Sequence, residues 1–293
     1  MAEKKQDVYN MGISLFNMGE GYKFLGDYEK SIDHTFRAIK ILEGKGYTTI
    51  EPNLYSGLQS TYYKLKQYDK SVEYGIKGIE LARAYKTEGV LMVLLENMGH
   101  CYTDMKQFVK AGQHYDEAIT LARKNNNKFV ENICFQGKVD IALYEKKYGD
   151  IKSFSERTLQ LSQETEDAAG ICISYHNLAL YHLLTNDFNR AYGQAMTALK
   201  MARDNKLIEY EARTLGQLVL ITAAKQDIPE ALNLSRQFYD LYGKIFTDGV
   251  AQKDAEMRTR FETEKKETQI ILQQAQLKQK STINYFLIAG TIG

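Results

Sequence analysis

The histidines are the side chains of this sequence best suited to metal binding or acid–base chemistry, but their spacing argues against a metal site. His176 and His182 lie six residues apart, so on one helix they would point to different sides and could not share an ion. His100 and Asp104 are four residues apart and could meet on one face, whereas His114 would lie on another helix. We therefore expect no metal centre and no cofactor.

The three cysteines, Cys101, Cys134 and Cys172, are odd in number and far apart, so their spacing indicates neither a disulfide framework nor a metal site. We expect Cys101 and Cys172 to be small packing residues. The sequence contains no His-Glu-x-x-His motif, glycine-rich phosphate loop or nucleophile elbow. We therefore expect no enzyme; an enzyme with its active site in a groove is an alternative that no motif supports.

Composition narrows the class of protein further. The 293 residues include 38 basic and 37 acidic side chains, and the net charge of +1 lacks the basic excess of a nucleic-acid-binding protein. The apolar fraction of 44% is sufficient for a hydrophobic core. Only two prolines occur, Pro52 and Pro229, which favours a chain that is helical almost throughout.

The elements that position these side chains repeat every 40 residues. One position of the repeat is always large and apolar: Tyr28, Tyr68, Phe108, Tyr148, Phe188 and Ile228. Ten residues later the position is small in five of six repeats: Ala38, Gly78, Ala118, Thr158 and Ala198, with Phe238 as the exception. Small residues at this interval predict that two helices approach closely there.

Within one repeat the apolar residues predict two helices. Leu95, Met98, Gly99 and Tyr102 share one face of a first helix, and the second helix begins near Phe108. A glycine inside a helix costs up to about 1 kcal/mol of helix stability. We therefore expect a neighbouring helix to pack against the space that Gly99 leaves.

These residues resemble the tetratricopeptide-repeat (TPR) family. The segments Leu15-x-x-Met18-Gly19-x-x-Tyr22 and Leu95-x-x-Met98-Gly99-x-x-Tyr102 are similar to the signature of its first helix. The resemblance implies an all-α, right-handed solenoid of about six helical hairpins. It covers 12–246 after a lead-in at 1–11, with repeats near 12–51, 52–91, 92–131, 132–171, 172–211 and 212–246. The fourth and sixth repeats are degenerate, and the 40-residue period exceeds the usual 34.

The resemblance also implies where a ligand binds. In this family the first helix of each hairpin lines a concave face that binds protein or peptide ligands. Its polar positions here are Asn17, Glu20, Glu96, Asn97, His100, Gln136, Asp140, His176 and Asn177. Asparagine amides both donate and accept, so a spaced row of them could hold an extended peptide backbone. The alternative is that these residues are solvated and bind nothing.

The family's basic clamp for a C-terminal carboxylate is not matched. Ser56, Glu96, Gln136 and His176 stand where its lysine would be. We therefore do not expect the chain to bind chaperone tails.

Beyond the repeats, residues 247–280 are dense in charge and lack proline from 254 onward, which predicts a long connecting helix. A homodimer through 254–280 is one interpretation, and a single solvated helix is the other. Residues 281–293 carry no charge, which favours the start of a membrane segment or an apolar helix that docks on the solenoid.

The whole arrangement resembles membrane-anchored sensor proteins of Bacteroidetes-type bacteria, in which a repeat domain precedes a histidine kinase or a helix-turn-helix regulator. We therefore expect the sensor or interaction module of a signal-transduction protein, with the repeats outside the cytoplasm. The alternative is a free cytoplasmic adaptor or peptide-responsive regulator, which would apply if the chain is complete as given.

Overall fold

The structure is a computed structural model that describes residues 2–247 and 249, with side chains from residue 6 onward. Its described part consists of helices joined by short turns, which confirms the all-α solenoid predicted from the sequence. The helices are α1 Ala2–Phe24, α2 Tyr28–Leu42, α3 Glu51–Lys64, α4 Tyr68–Ala84, α5 Glu88–Asp104, α6 Phe108–Lys124, α7 Lys128–Tyr144, α8 Tyr148–Glu164, α9 Ala168–Leu184, α10 Phe188–Asp204 and α11 Ile208–Ala224. Residues 228–247 are helical as well, and we refer to them as α12.

Each large apolar residue of the 40-residue repeat begins the second helix of a hairpin. Tyr68 is the first residue of α4, and Phe108 is the first residue of α6. The small residues ten positions later are buried, and Ala38, Ala118 and Ala198 have no exposed surface. The predicted register is therefore confirmed.

The turns recur every 20 residues and depend on a left-handed backbone conformation. From residue 66 to residue 226, one residue at each interval has a positive φ, and Lys66, Lys106 and Lys146 each have φ of 57°. At the first of these turns, the amide of Gln67 donates to the carbonyl of Tyr62 at 2.9 Å. This is the hydrogen bond of a Schellman motif, which ends a helix and reverses the chain.

The odd-numbered helices form an inner layer, and the even-numbered helices form an outer layer. Each hairpin packs its two helices together, and α3 also contacts α5, which in turn contacts α7. Successive even-numbered helices up to α10 make no comparable contact. Closer spacing on the odd-numbered side gives the layer a concave inner surface. The pairs α7 and α9, and to a lesser degree α1 and α3, are exceptions, since these inner helices pack less closely than α3, α5 and α7 do.

Tyr115 connects the two layers at the centre of the solenoid. Its ring projects from α6 and is fully buried between α5 and α7. A β-carbon on Gly99 of α5 or on Gly137 of α7 would overlap atoms of this ring. The space left by Gly99 is thus filled by a neighbouring helix, as the sequence predicted.

A second regular feature, which we call the tyrosine ladder, joins the inner and outer helices of each of the first three hairpins. In each hairpin a tyrosine of the inner helix packs against an aromatic ring of the outer helix, and a lysine ammonium lies over the same tyrosine. The ring centroids are 5.1 to 5.4 Å apart, and the ammonium groups lie 5.1 to 5.2 Å from the tyrosine centroids. The sets are Tyr22, His34 and Lys30, then Tyr62, Tyr74 and Lys70, then Tyr102, His114 and Lys110.

The chain divides into two compact units, residues 1–239 and 240–293. The first contains α1 to α11 and residues 228–239 of α12, and in the second only 240–247 and 249 belong to the described residues. Of the predicted connecting helix 247–280, only residues 247 and 249 are described. The predicted dimer segment 254–280 and the apolar segment 281–293 lie outside the described residues. Among the helices that are described, none has the length and apolarity needed to cross a bilayer.

The packing of Tyr115 predicts opposite effects of alanine at two glycines of adjacent helices. Gly99→Ala should lower the free energy of unfolding by about 1–3 kcal/mol, because the added carbon overlaps the Tyr115 ring. Gly112→Ala on α6 meets no atom within 4 Å and should raise it by about 0.5–1 kcal/mol through helix propensity. Urea unfolding of both variants checks this, and equal stabilities would contradict the assigned packing.

Candidate functional site on the inner helices

The hydroxyl of Tyr115 passes through the layer of inner helices and contacts a histidine on the other side. It lies 3.0 Å from Nδ1 of His100, and Nε2 of His100 lies 3.5 Å from Oε1 of Glu96. Burial raises the pKa of Tyr115 well above its ordinary value, so the hydroxyl stays protonated. The tautomer of His100 decides which of these two groups donates to the other, and Nε2 of the ring faces the Glu96 carboxylate in either case.

Asp140 occupies on α7 the position that His100 occupies on α5, one repeat earlier. Its side chain is exposed to water, yet the concave surface surrounds it with protein atoms. Desolvation therefore raises the pKa of Asp140, and the charges of His100 and Arg213 oppose that increase. These interactions place Asp140 within electrostatic reach of side chains on α5 and α11.

His176 on α9 belongs to the same region. Desolvation, with a smaller contribution from the Arg213 guanidinium, lowers the pKa of His176 to about 3, so the ring is neutral at physiological pH. Its Nδ1 is buried without a hydrogen-bond partner among the described residues. The backbone carbonyl of His176 accepts a hydrogen bond of 2.9 Å from the side chain of Gln217 on α11.

Arg213 is the residue of this region that the sequence analysis did not identify. Its side chain is exposed on α11 and influences both Asp140 and His176. The repeat contained a signal for it, because the equivalent positions of the three preceding hairpins hold Val93, Ile133 and Ile173. Arg213 is therefore the one charged residue at a position that is aliphatic in the three preceding hairpins.

The three predicted asparagines differ in exposure. Asn17 is exposed, Asn97 is partly buried, and Asn177 retains only 6% of its surface. The amide of Asn97 donates to Oε1 of the buried Gln59 at 3.4 Å. The row of asparagines thus does not offer three equivalent contacts, and its binding of a peptide backbone stays a prediction.

The remaining predicted residues already have polar neighbours. Glu20 on α1 pairs with Lys23 at 2.6 Å, and Gln136 on α7 donates to Asn132 at 3.4 Å. Asn17 and Glu20 lie on the first inner helix, two inner helices before α5. The structure therefore brings together Glu96, His100, Asp140 and His176 across α5, α7 and α9, and it places the first-repeat candidates elsewhere.

The cysteines lie in the packed interior. Cys101 and Cys134 have no exposed surface and Cys172 has 1%, which agrees with the predicted packing role. Desolvation raises the pKa of all three thiols, so none is an activated nucleophile. Within the described ranges, no three histidine, cysteine, aspartate or glutamate side chains are grouped closely enough to hold a metal ion.

Comparison with known proteins supports the assignment of the repeats. A tetratricopeptide-repeat family model matches residues 94–125, which include most of α5 and α6. A search of curated proteins finds no match to this chain.

Solved structures share the fold at low sequence identity. BtubC (BKLC) from P. vanneervenii is 14% identical with a TM-score of 0.63, over 75% of this chain and 90% of that protein. A STAND protein (signal transduction ATPase with numerous domains) with a tetratricopeptide-repeat sensor, from Pyrococcus horikoshii, is 16% identical with a TM-score of 0.71. That match covers 85% of this chain but only 39% of the STAND protein. RapI in its apo form is 15% identical with a TM-score of 0.62, over 81% of this chain and 85% of RapI.

At these identities the neighbours show the fold alone. The matched repeat at residues 94–125, the regular hairpins and the shared fold agree with one another. Residues 94–125 match the tetratricopeptide repeat, and the described hairpins have the fold of a tetratricopeptide-repeat solenoid.

Proposed function

We propose that this chain is the sensor or interaction module of a bacterial signal-transduction protein and binds a protein or peptide segment on its inner surface. TPR folds generally serve as protein-interaction modules. The observation that carries the proposal is the polar region formed by Glu96, His100, Asp140, His176 and Arg213 on four successive inner helices. The STAND neighbour with a TPR sensor supports the signalling role by analogy of fold.

The charges of this region indicate the chemistry of its ligand. Arg213 is exposed and makes no ion pair within 4.0 Å among the described residues, so it can receive a carboxylate. At the other end of the polar region, Glu96 on α5 and Asp140 on α7 can accept hydrogen bonds from amide or ammonium groups. A peptide segment with an acidic group toward α11 and donors toward α5 fits this polarity.

The position of the module in the cell is part of the same proposal. The uncharged residues 281–293 support anchorage in a membrane, with the repeats outside the cytoplasm and a homodimer through 254–280. A free cytoplasmic adaptor remains the second candidate, favoured by the lysines just before that segment. Fractionation of cells that produce the native protein separates these two, since only the anchored form sediments with membranes and requires detergent for release.

A peptide selection followed by charge reversal tests the binding site. Peptides selected from a random library on the full-length chain should bind at least tenfold more weakly to Arg213→Glu, because the variant places a carboxylate against their acidic group. Arg190→Glu is the matched control: Arg190 is an exposed arginine on the outer helix α10 and should not affect binding. Equal losses in both variants, or no loss in either, would place the ligand elsewhere.

His176 predicts a dependence of stability on pH. Its pKa is about 3 in the folded chain and about 6.5 when unfolded, so the unfolded chain binds more protons between these values. The free energy of unfolding contributed by His176 is therefore complete above pH 6.5 and falls as the pH falls toward 3. Between pH 7.5 and pH 5 the loss should be roughly 1 to 2 kcal/mol.

Urea unfolding at both pH values measures this loss. In His176→Gln the difference between the two pH values should be smaller than in the unmodified chain by that amount, because glutamine does not titrate. An identical pH dependence of the two proteins would show that His176 is not held neutral.

A further inference from the structure

The tyrosine ladder ends at the fourth hairpin. By the 40-residue repeat, its three positions there hold Ala142 on α7 and Asp150 and Phe154 on α8. The tyrosine is thus reduced to a methyl group, and the lysine is replaced by a carboxylate. Only the aromatic ring of the outer helix remains.

A cavity of about 350 Å³ lies at this interruption. All three of those residues line it, together with Val109 and Gly112 of α6 and Ile141 of α7. Open space surrounds the α-carbon of Gly112, where the two preceding hairpins carry Ile32 and Val72. The missing side chain at Gly112 therefore leaves that part of the cavity open, whereas Ala142 is only 2% exposed and belongs to a packed cluster with Val139 and Ile151. The volume of the cavity lies at the small end of the range for ligand pockets, which is about 300–1,000 Å³.

The walls of the cavity combine apolar surface with one unpaired charge. Val109 is 74% exposed, and one face of the Phe154 ring is covered by the Lys138 ammonium at 5.1 Å. The two lysines of the rim are already paired. Lys138 contacts Asp116 at 2.5 Å, and Lys147 contacts Glu145 at 2.8 Å.

Asp150 differs from these paired carboxylates. No lysine or arginine of the described part of the chain lies within 4.0 Å of its carboxylate. The rim therefore has one acidic group more than its own lysines neutralise, next to an aromatic ring and an open apolar wall. This complements a ligand that carries an aromatic ring and a positive charge close together.

We propose that this cavity between α6, α7 and α8 binds a tyrosine or phenylalanine side chain of a partner protein, with a neighbouring lysine or arginine of the partner pairing with Asp150. The partner supplies the two groups that the fourth hairpin lacks and the first three contain. This site lies among α6, α7 and α8 and is distinct from the polar region of the inner surface.

Methyl NMR with a defined peptide tests the site on the full-length chain. The probe is an acetylated and amidated alanine-based hexapeptide that contains one tyrosine followed by one lysine. Its addition should shift the methyl resonances of Val109 and Ile141. Replacement of the tyrosine by alanine should weaken binding about tenfold or more, because the buried ring supplies most of the contact. Replacement of the lysine by glutamate should also weaken it, since it repels Asp150.

Restoring the ladder within the chain should block the site. The double variant Ala142→Tyr with Asp150→Lys is expected to lose peptide binding, because the new ring competes with the ring of the peptide beside Phe154 and the lysine repels the lysine of the peptide. Leu143→Tyr is the matched control. It adds the same side chain one residue away, outside the cavity lining, and should retain binding.

Three results would overturn the proposal: no shift at Val109 and Ile141, equal binding of the alanine peptide, or unchanged binding by the double variant. If circular dichroism shows that the double variant does not fold, Asp150→Lys alone decides. Loss of affinity for the lysine-containing peptide supports the site, and unchanged affinity rejects it.

Discussion

The structure depends on close contact between helices at positions where side chains are small or absent. Ala38, Ala118 and Ala198 are fully buried at the same point of three hairpins, and Gly99 and Gly137 admit the Tyr115 ring between two inner helices. A larger side chain at any of these positions would push the helices apart. Because each hairpin contacts mainly its neighbours, this spacing also sets how closely the inner helices bring their polar residues together.

The polar region of the inner surface follows from that spacing. Residues on separate inner helices, among them His100, Asp140 and Arg213, influence one another because the repeats hold their helices close. Desolvation keeps His176 neutral and raises the pKa of Asp140 despite the nearby positive charge. The region thus combines a histidine whose Nδ1 is buried with the exposed charges of Asp140 and Arg213, which a ligand can reach.

The sequence predicted the architecture well because each repeat places the same type of residue at the same helix contact and helix start. Small residues at 38, 78, 118, 158 and 198 identified the helix contact, and the apolar residues ten positions earlier identified the helix starts. Two features were not predictable in this way. The left-handed turns are occupied mostly by lysine and asparagine, which give no glycine signal. The different exposures of Asn17, Asn97 and Asn177 depend on long-range neighbours such as Gln59, which lies 38 residues away from its partner.

The joint between the fourth and fifth hairpins is built differently from those beside it. On both sides of it the inner helices pack on one another, as α5 does on α7 and α9 on α11, whereas here α9 packs mainly on the outer helix α8. Asp140 and His176 lie on the two helices that flank this joint. A molecule that contacts both helices would therefore add a connection on the inner side of this joint, where the helices themselves supply little.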